Sequence, residues 1–199
     1  MKWIVSRRPP SIAALASLLA ALLCGAGGAA ATTGVEIEGV TFAPVVERRD
    51  QRLLLHNAGL LRYRLVIKAY VAALYLGEGV EPAAALGDVP KRLEAEYFWA
   101  LSGEDFGPAT EEGMRRNVDA ATLAALRPRL EQFAALFVDV RPGDRYALTY
   151  LPDVGTEVSL NGRPLGTVAG ADFAAALFAI WLGPQPLDEP LKQALLARR

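Results

Sequence analysis

Gly59–Leu76, GLLRYRLVIKAYVAALYL, decides how the rest of the chain is read. Its odd positions, Leu61, Tyr63, Leu65, Ile67, Ala69, Val71, Ala73 and Tyr75, form an unbroken apolar or aromatic stripe. The even positions carry the polarity in Arg62, Arg64, Lys68 and Tyr70. Alternation with a period of two predicts one strand, or two collinear strands, with the odd face in a core. The even face, with its cations and phenol, is then left for water or an anionic ligand.

Alternation extends to both sides. Val35–Phe42 predicts a first strand, and the charged run Glu47–Arg52 a loop or hairpin tip. Pro82–Gly87 suits a helical turn and Arg92–Trp99 another strand, with Leu93, Ala95, Tyr97 and Trp99 on one side. Helical spacing begins at Ser102, a residue suited to an N-cap. It resumes through Ala120–Phe137, where Pro128 is expected to break or kink the helix. Arg145–Leu151 reads as a strand. Asn161-Gly162 between two alternating runs marks a hairpin. Ala171–Leu182 is an apolar helix, and Asp188 caps a last one. The predicted fold is α+β, a mainly antiparallel sheet with its helices gathered on one face.

The first 31 residues predict a secretory signal peptide: a basic start (Lys2, Arg7, Arg8), the apolar run Ile12–Leu23 and a small-residue tract ending at Ala31. Cleavage after Ala31 places the protein in the periplasm or outside the cell. A lipoprotein cut before Cys24 is the rival, against which stands the bulky Leu23. The remaining domain, residues 32–199, keeps 18 basic and 22 acidic side chains, a net charge of −4. That balance argues against a nucleic-acid partner and offers no polybasic membrane patch. No integral membrane span is expected in this domain. Cys24 is the sole cysteine and His56 the sole histidine, so thiolate zinc sites and histidine-based triads are excluded. No metal and no cofactor are implied.

Two groups of residues resemble the chalcone isomerase superfamily, in its secreted bacterial branch. One runs from Gly59 and Arg62 through Lys68-Ala69-Tyr70-Val71 to Leu101-Ser102-Gly103-Glu104-Asp105-Phe106. The other is the C-terminal pair Phe173–Gly183 and Leu191–Leu196. The resemblance implies an open-faced β-sandwich, a large antiparallel sheet covered by helices, with an apolar ligand cleft between them. It places the family's cleft arginine on Arg62. Its helix asparagine falls on Asn117, four positions later than the pattern expects. Phe106 stands where chalcone isomerases carry a tyrosine, Tyr70 where they carry one threonine, and Ile180 where they carry another.

Chalcone cyclisation must stabilise a phenolate and a developing enolate, and each lost oxyanion donor costs about 2.7–4 kcal/mol. With those donors missing, the better analogy is the fatty-acid-binding branch. There the resemblance implies an arginine and a tyrosine holding a carboxylate, which Arg62 and Tyr70 match. In one straight strand the two would lie about 26 Å apart. They converge only through a bend, bulge or crossover between Arg64 and Lys68, where no Gly or Pro stands.

The expectation is therefore a non-catalytic binder of a fatty-acid-like or other small apolar carboxylate. Its ligand-binding residues would be Arg62, Tyr70, Phe106, Asn117 and Ile180. The alternatives are a cofactor-free isomerase acting on a flavonoid-like enone through Arg62, Tyr70 and Asn117, and an envelope scaffold. Plainer roles compete for single residues. Arg64 and Lys68 suit a solvated face; Tyr97, Trp99 and Trp181 suit a core; His56 suits the surface or a loop. Glu104, Asp105, Glu111 and Glu112 suit helix starts. N-terminal sequencing of the exported protein should begin at Thr32; a chain that retains residues 1–31, or is acylated at Cys24, contradicts the signal-peptide reading.

Overall fold

The computed structural model describes residues 34–63 and 66–198. The segment read as an export signal lies outside them, as do Arg64 and Leu65.

The run expected to be a first strand is a hairpin. β1 (Val35–Ile37) and β2 (Val40–Phe42) flank Glu38-Gly39, both at positive φ, 53° and 80°. Two left-handed residues in succession make the tight turn that matches strand twist.

Seven further strands follow: β3 (Val45–Arg48), β4 (Gln51–Tyr63), β5 (Ile67–Gly77), β6 (Lys91–Tyr97), β7 (Arg145–Leu151), β8 (Gly155–Leu160) and β9 (Arg163–Val168). They form one antiparallel sheet in chain order. Helices α1 (Gly103–Arg115) and α2 (Ala120–Ala134) fill the connection from β6 to β7, and α3 (Ala171–Leu182) and α4 (Glu189–Leu196) follow β9.

The Gly59–Leu76 stretch is neither one strand nor two collinear ones. The chain reverses between Tyr63 and Ile67, and Leu61 lies opposite Tyr70. The parity reading fails with it. Tyr70, Ala72, Leu74 and Leu76 belong to the main core beneath the helices, while Val71, Ala73 and Tyr75 pack into a second cluster. That cluster is closed by β1 and β2 through Val40 and Phe42. β5 is thus buried on both faces.

A register shift at His56 reverses the parity of β4 as well. Leu53 and Leu55 face the hairpin, whereas Leu61 reaches the helical core. Gly59 lies under α4, where a Cβ would come within 2.9 Å of Leu191 and Ala194 side-chain atoms. His56 sits in this bulge, half-buried, with a ring nitrogen 3.3 Å from the Leu196 carbonyl oxygen, and not in a loop.

The even positions of β6 are not solvated either. Arg92 and Glu94 are buried and paired at 2.8 Å, Arg92 also donates to the Thr149 hydroxyl, and Arg145 bridges Glu94 and Glu96. Arg145 also lies over the Phe42 ring, 4.7 Å from its centre, which ties this charged network to the hairpin.

Helix ends follow local chemistry. Asp119 accepts from the Thr122 N–H and Asp188 from the Leu191 N–H, each at 2.7 Å. Ser102 occupies the N-cap position of α1 without capping; Asp139 instead accepts the Gly103 N–H at 2.9 Å. Pro128 does not break α2. It lies on the exposed face, as does Ala124, whose carbonyl it leaves without an intrahelical donor. Helix α3 buries eight of its 12 residues, which explains its apolar character all round. Among the described residues no helix is long and apolar enough to cross a membrane.

Lys91, at the start of β6, is fully buried. Its Nζ donates to the Gly87 carbonyl at 2.6 Å and lies over the Tyr150 and Phe178 rings. Burial lowers its pKa to about 8, against the pull of Asp88. Between that value and the ordinary 10.5 the unfolded chain holds more protons, so stability from this group rises with pH. Denaturant melts should therefore show wild type gaining stability relative to Lys91→Met as pH is raised from 8 to 10; a constant difference contradicts the shift.

Candidate functional site

Between the sheet and the helices lies an apolar cavity of about 280 Å³. That is just below the span of about 300–1,000 Å³ usual for small-molecule pockets. Its floor is the helical face of β5, β6 and β7: Tyr70, Leu93, Ala95, Tyr97, Tyr146 and Leu148. Phe106, Ala109 and Thr110 of α1 and Phe133 of α2 form one wall, continued by Phe137. Ile180 and Trp181 of α3 form the other. Leu101 and Leu187 line it too, yet are 38% and 45% exposed, which locates the mouth. Exposed Trp99 is not in the lining; its indole N–H donates to the Lys68 carbonyl at 2.7 Å.

Ring contacts hold the aromatic wall rigid. Phe106 stacks on Phe137 with centroids 4.7 Å apart and meets Tyr97 edge-on at 5.8 Å. Such pairs contribute about 0.5–1.5 kcal/mol each beyond their buried area.

Polar groups inside are few, and most are committed. The Tyr146 hydroxyl accepts from the Val138 N–H and donates to the Val138 carbonyl, at 2.9 and 3.0 Å. Thr110 donates to the Phe106 carbonyl at 2.7 Å. Tyr70 accepts the Trp181 indole N–H at 2.9 Å, which leaves its own O–H to donate. Tyr97 lies directly opposite Tyr70 on the β5–β6 ladder, ring centroids 5.4 Å apart, and its hydroxyl has no partner among the described residues. Burial pushes both phenols well above their ordinary pKa. They are O–H donors at any physiological pH.

Among the described residues, the one charged side chain in the lining is Asp105, in the first turn of α1. Desolvating a ligand carboxylate here costs several kcal/mol. Two hydroxyl bonds to it return about 1.5–3 kcal/mol each. Those terms nearly cancel, and Asp105 weighs against the anion.

Of the five expected site residues, three meet at this cavity: Tyr70, Phe106 and Ile180. Arg62 does not. Leu61 takes the helical face, and the Arg62 guanidinium lies 3.8 Å from Glu38 in the β1–β2 turn, with its side chain 44% exposed. Lys68, its cross-strand partner, pairs with the same carboxylate. The expected arginine–tyrosine clamp is therefore not formed.

Asn117 also lies off the cavity. It clamps the end of α1 to the loop after α3, donating to the Gly113 and Gln185 carbonyls and accepting the Gln185 N–H, all at 2.9–3.0 Å. Four residues earlier, where the resemblance expects the asparagine, Gly113 packs on Ile180. The two apolar departures thus form one contact. Conversely, Tyr97 and Trp181, which suit a core by composition, line the cavity, while Trp99 is exposed. Shared parity with Leu93 and Ala95 is the sequence signal that places Tyr97 on the floor.

A sequence profile described as chalcone isomerase-like matches residues 34–197, and the chain belongs to that family. No curated protein sequence matches it. Among solved structures, a fatty-acid binding protein of Arabidopsis thaliana superposes with a TM-score of 0.67 at 15% identity, covering 82% of this chain and 96% of that one. At this identity the likeness is one of fold: the α+β chalcone isomerase-like architecture, antiparallel sheet beneath a helical layer, is present here.

Gly113 allows a direct test of the helix contact. A Cβ there would stand 2.9 Å from two Ile180 side-chain carbons. Alanine gains about 1 kcal/mol of helix propensity over glycine, and overpacking costs about 1–3 kcal/mol. Gly113→Ala should therefore lose up to about 2 kcal/mol in denaturant melts, and Ile180→Ala in the same chain should cost less than the sum of the single changes. Strict additivity contradicts the contact.

Proposed function

We propose that this protein binds, without turning it over, a fatty-acid-like or similarly small apolar molecule in the cavity between sheet and helices. The observation that carries the reading is the cavity itself, apolar on floor and walls and open at a rim formed by Leu101 and Leu187. Burial of apolar ligand surface supplies about 25 cal/mol per Å², and the two uncommitted tyrosine hydroxyls supply orientation. The fatty-acid binding neighbour of the same fold supports this ligand class. Tyr70, Phe106 and Ile180 are the contact residues carried over from the sequence, joined by Tyr97 and Trp181. Arg62 and Asn117 hold structure at a distance. The protein works in the periplasm or outside the cell, a reading supported by the signal-like residues 1–31.

Non-catalytic binding fits Phe106 and Ile180 better than turnover does, since neither can donate to a developing oxyanion. The isomerase reading retains one favourable observation, the two neighbouring tyrosine O–H groups, which could polarise a ketone. Loss of chalcone absorbance on adding purified protein would favour it. Native mass spectrometry of gently extracted wild type should reveal a co-purifying lipid-like molecule. Ile180→Trp, which fills the cavity, should remove it, while Arg62→Ala should keep it. A wild type that is empty under those conditions contradicts the proposal.

A further inference from the structure

We infer that the cavity selects ligands whose polar end is uncharged, read by Tyr70 and Tyr97 as a pair of hydroxyl donors to one acceptor oxygen. The inference rests on the apolar-ligand reading above and adds to it the chemical class of the head group: an ester, a ketone, or a carboxylic acid bound in its protonated form.

Three observations carry it. The first is electrostatic. Among the described residues, charge in the lining is confined to the Asp105 carboxylate. The nearby cations Arg62 and Lys68 are held by Glu38 on the opposite face of the sheet. A ligand carboxylate would meet no cation among the described lining residues, and a desolvated acid without a counter-ion takes up a proton.

The second observation is the donor inventory. Tyr146 and Thr110 spend their hydroxyls on backbone partners, and the Trp181 N–H is spent on Tyr70. Among the described lining residues, the O–H groups left over are those of Tyr70 and Tyr97. Neither has an acceptor among the described residues, and both line the same hollow. A carbonyl oxygen has two lone pairs and takes two such donors.

The third observation is placement. Tyr70 and Tyr97 are direct cross-strand partners, so the ladder between β5 and β6 fixes their spacing. The indole of Trp181 holds Tyr70 from one side, and Phe106 meets Tyr97 edge-on from the other. The pair is positioned before any ligand arrives, so little ordering entropy is lost on binding.

The test uses decanoic acid and methyl decanoate, titrated calorimetrically into the wild-type protein between pH 6 and 8. If the bound acid is neutral, its apparent affinity falls about tenfold per pH unit, in proportion to the protonated fraction. The ester affinity stays flat over the same range. Tyr97→Phe and Tyr70→Phe, which keep ring volume, should each weaken ester binding about two- to tenfold, one hydrogen bond's worth.

A decanoate affinity that is flat across this range, or that rises with pH, overturns the donor-pair assignment while leaving the apolar-ligand reading standing. So does an ester affinity unmoved by both tyrosine changes. Failure of both probes to bind overturns the apolar-ligand reading, and this inference with it.

Discussion

Tyr70 leaves the chain from β5, and β5 is apolar on both faces, so the strand must lie inside the sheet with a cover on each side. The helical layer buries Tyr70, Ala72, Leu74 and Leu76, and the β1–β2 hairpin side buries Val71, Ala73 and Tyr75. Once β5 is central, its neighbour β6 brings Tyr97 alongside Tyr70. The helices crossing above do not close completely over two tyrosines and the small residue Ala95. What remains is the cavity. Its phenols follow from the same placement: buried deeply enough to stay protonated, yet facing a hollow and not a protein acceptor.

The hairpin does a second job on the far side. Its turn residue Glu38, at positive φ, draws Arg62 and Lys68 away from the hollow. Cations at the tip of β4–β5 therefore serve to fasten hairpin to sheet. Each exposed pair is worth little alone, about 0–1 kcal/mol. Together with the buried Arg92–Glu94–Arg145 network they gather much of the sheet's charge on the hairpin side, while Lys91 is a buried cation of the helical side. On the proposed reading this segregation sets the ligand's chemistry as well.

Elements whose information is local were legible from sequence. β7 and α3 have the expected bounds, and Asn161-Gly162 turns the β8–β9 hairpin with both residues at positive φ. The expected cap at Asp188 is formed, and the family pattern placed the sheet beneath its helices. What escaped was set by distant partners. No glycine or proline announces the reversal between Tyr63 and Ile67, since Leu61 pairing with Tyr70 decides it. The bulge at His56 inverts parity within β4 without any compositional sign. Arg92 and Glu94 look solvent-facing by alternation and are buried only because Thr41 and Phe42 return over Arg145 beside them. Arg62 failed as a cavity residue for the same reason: one step past Leu61 lies the other face of the sheet.

The central claim is that a ligand head group in this hollow carries no charge, and carbon NMR reads that state without perturbing it. A fatty acid labelled at its carboxyl carbon, bound to the wild-type protein, should show the chemical shift of the neutral acid. That shift should persist to a pH well above the ordinary carboxyl range of about 4. A resonance that titrates at or below that ordinary value would mean an ionised head group stabilised by a cation, and would contradict the account.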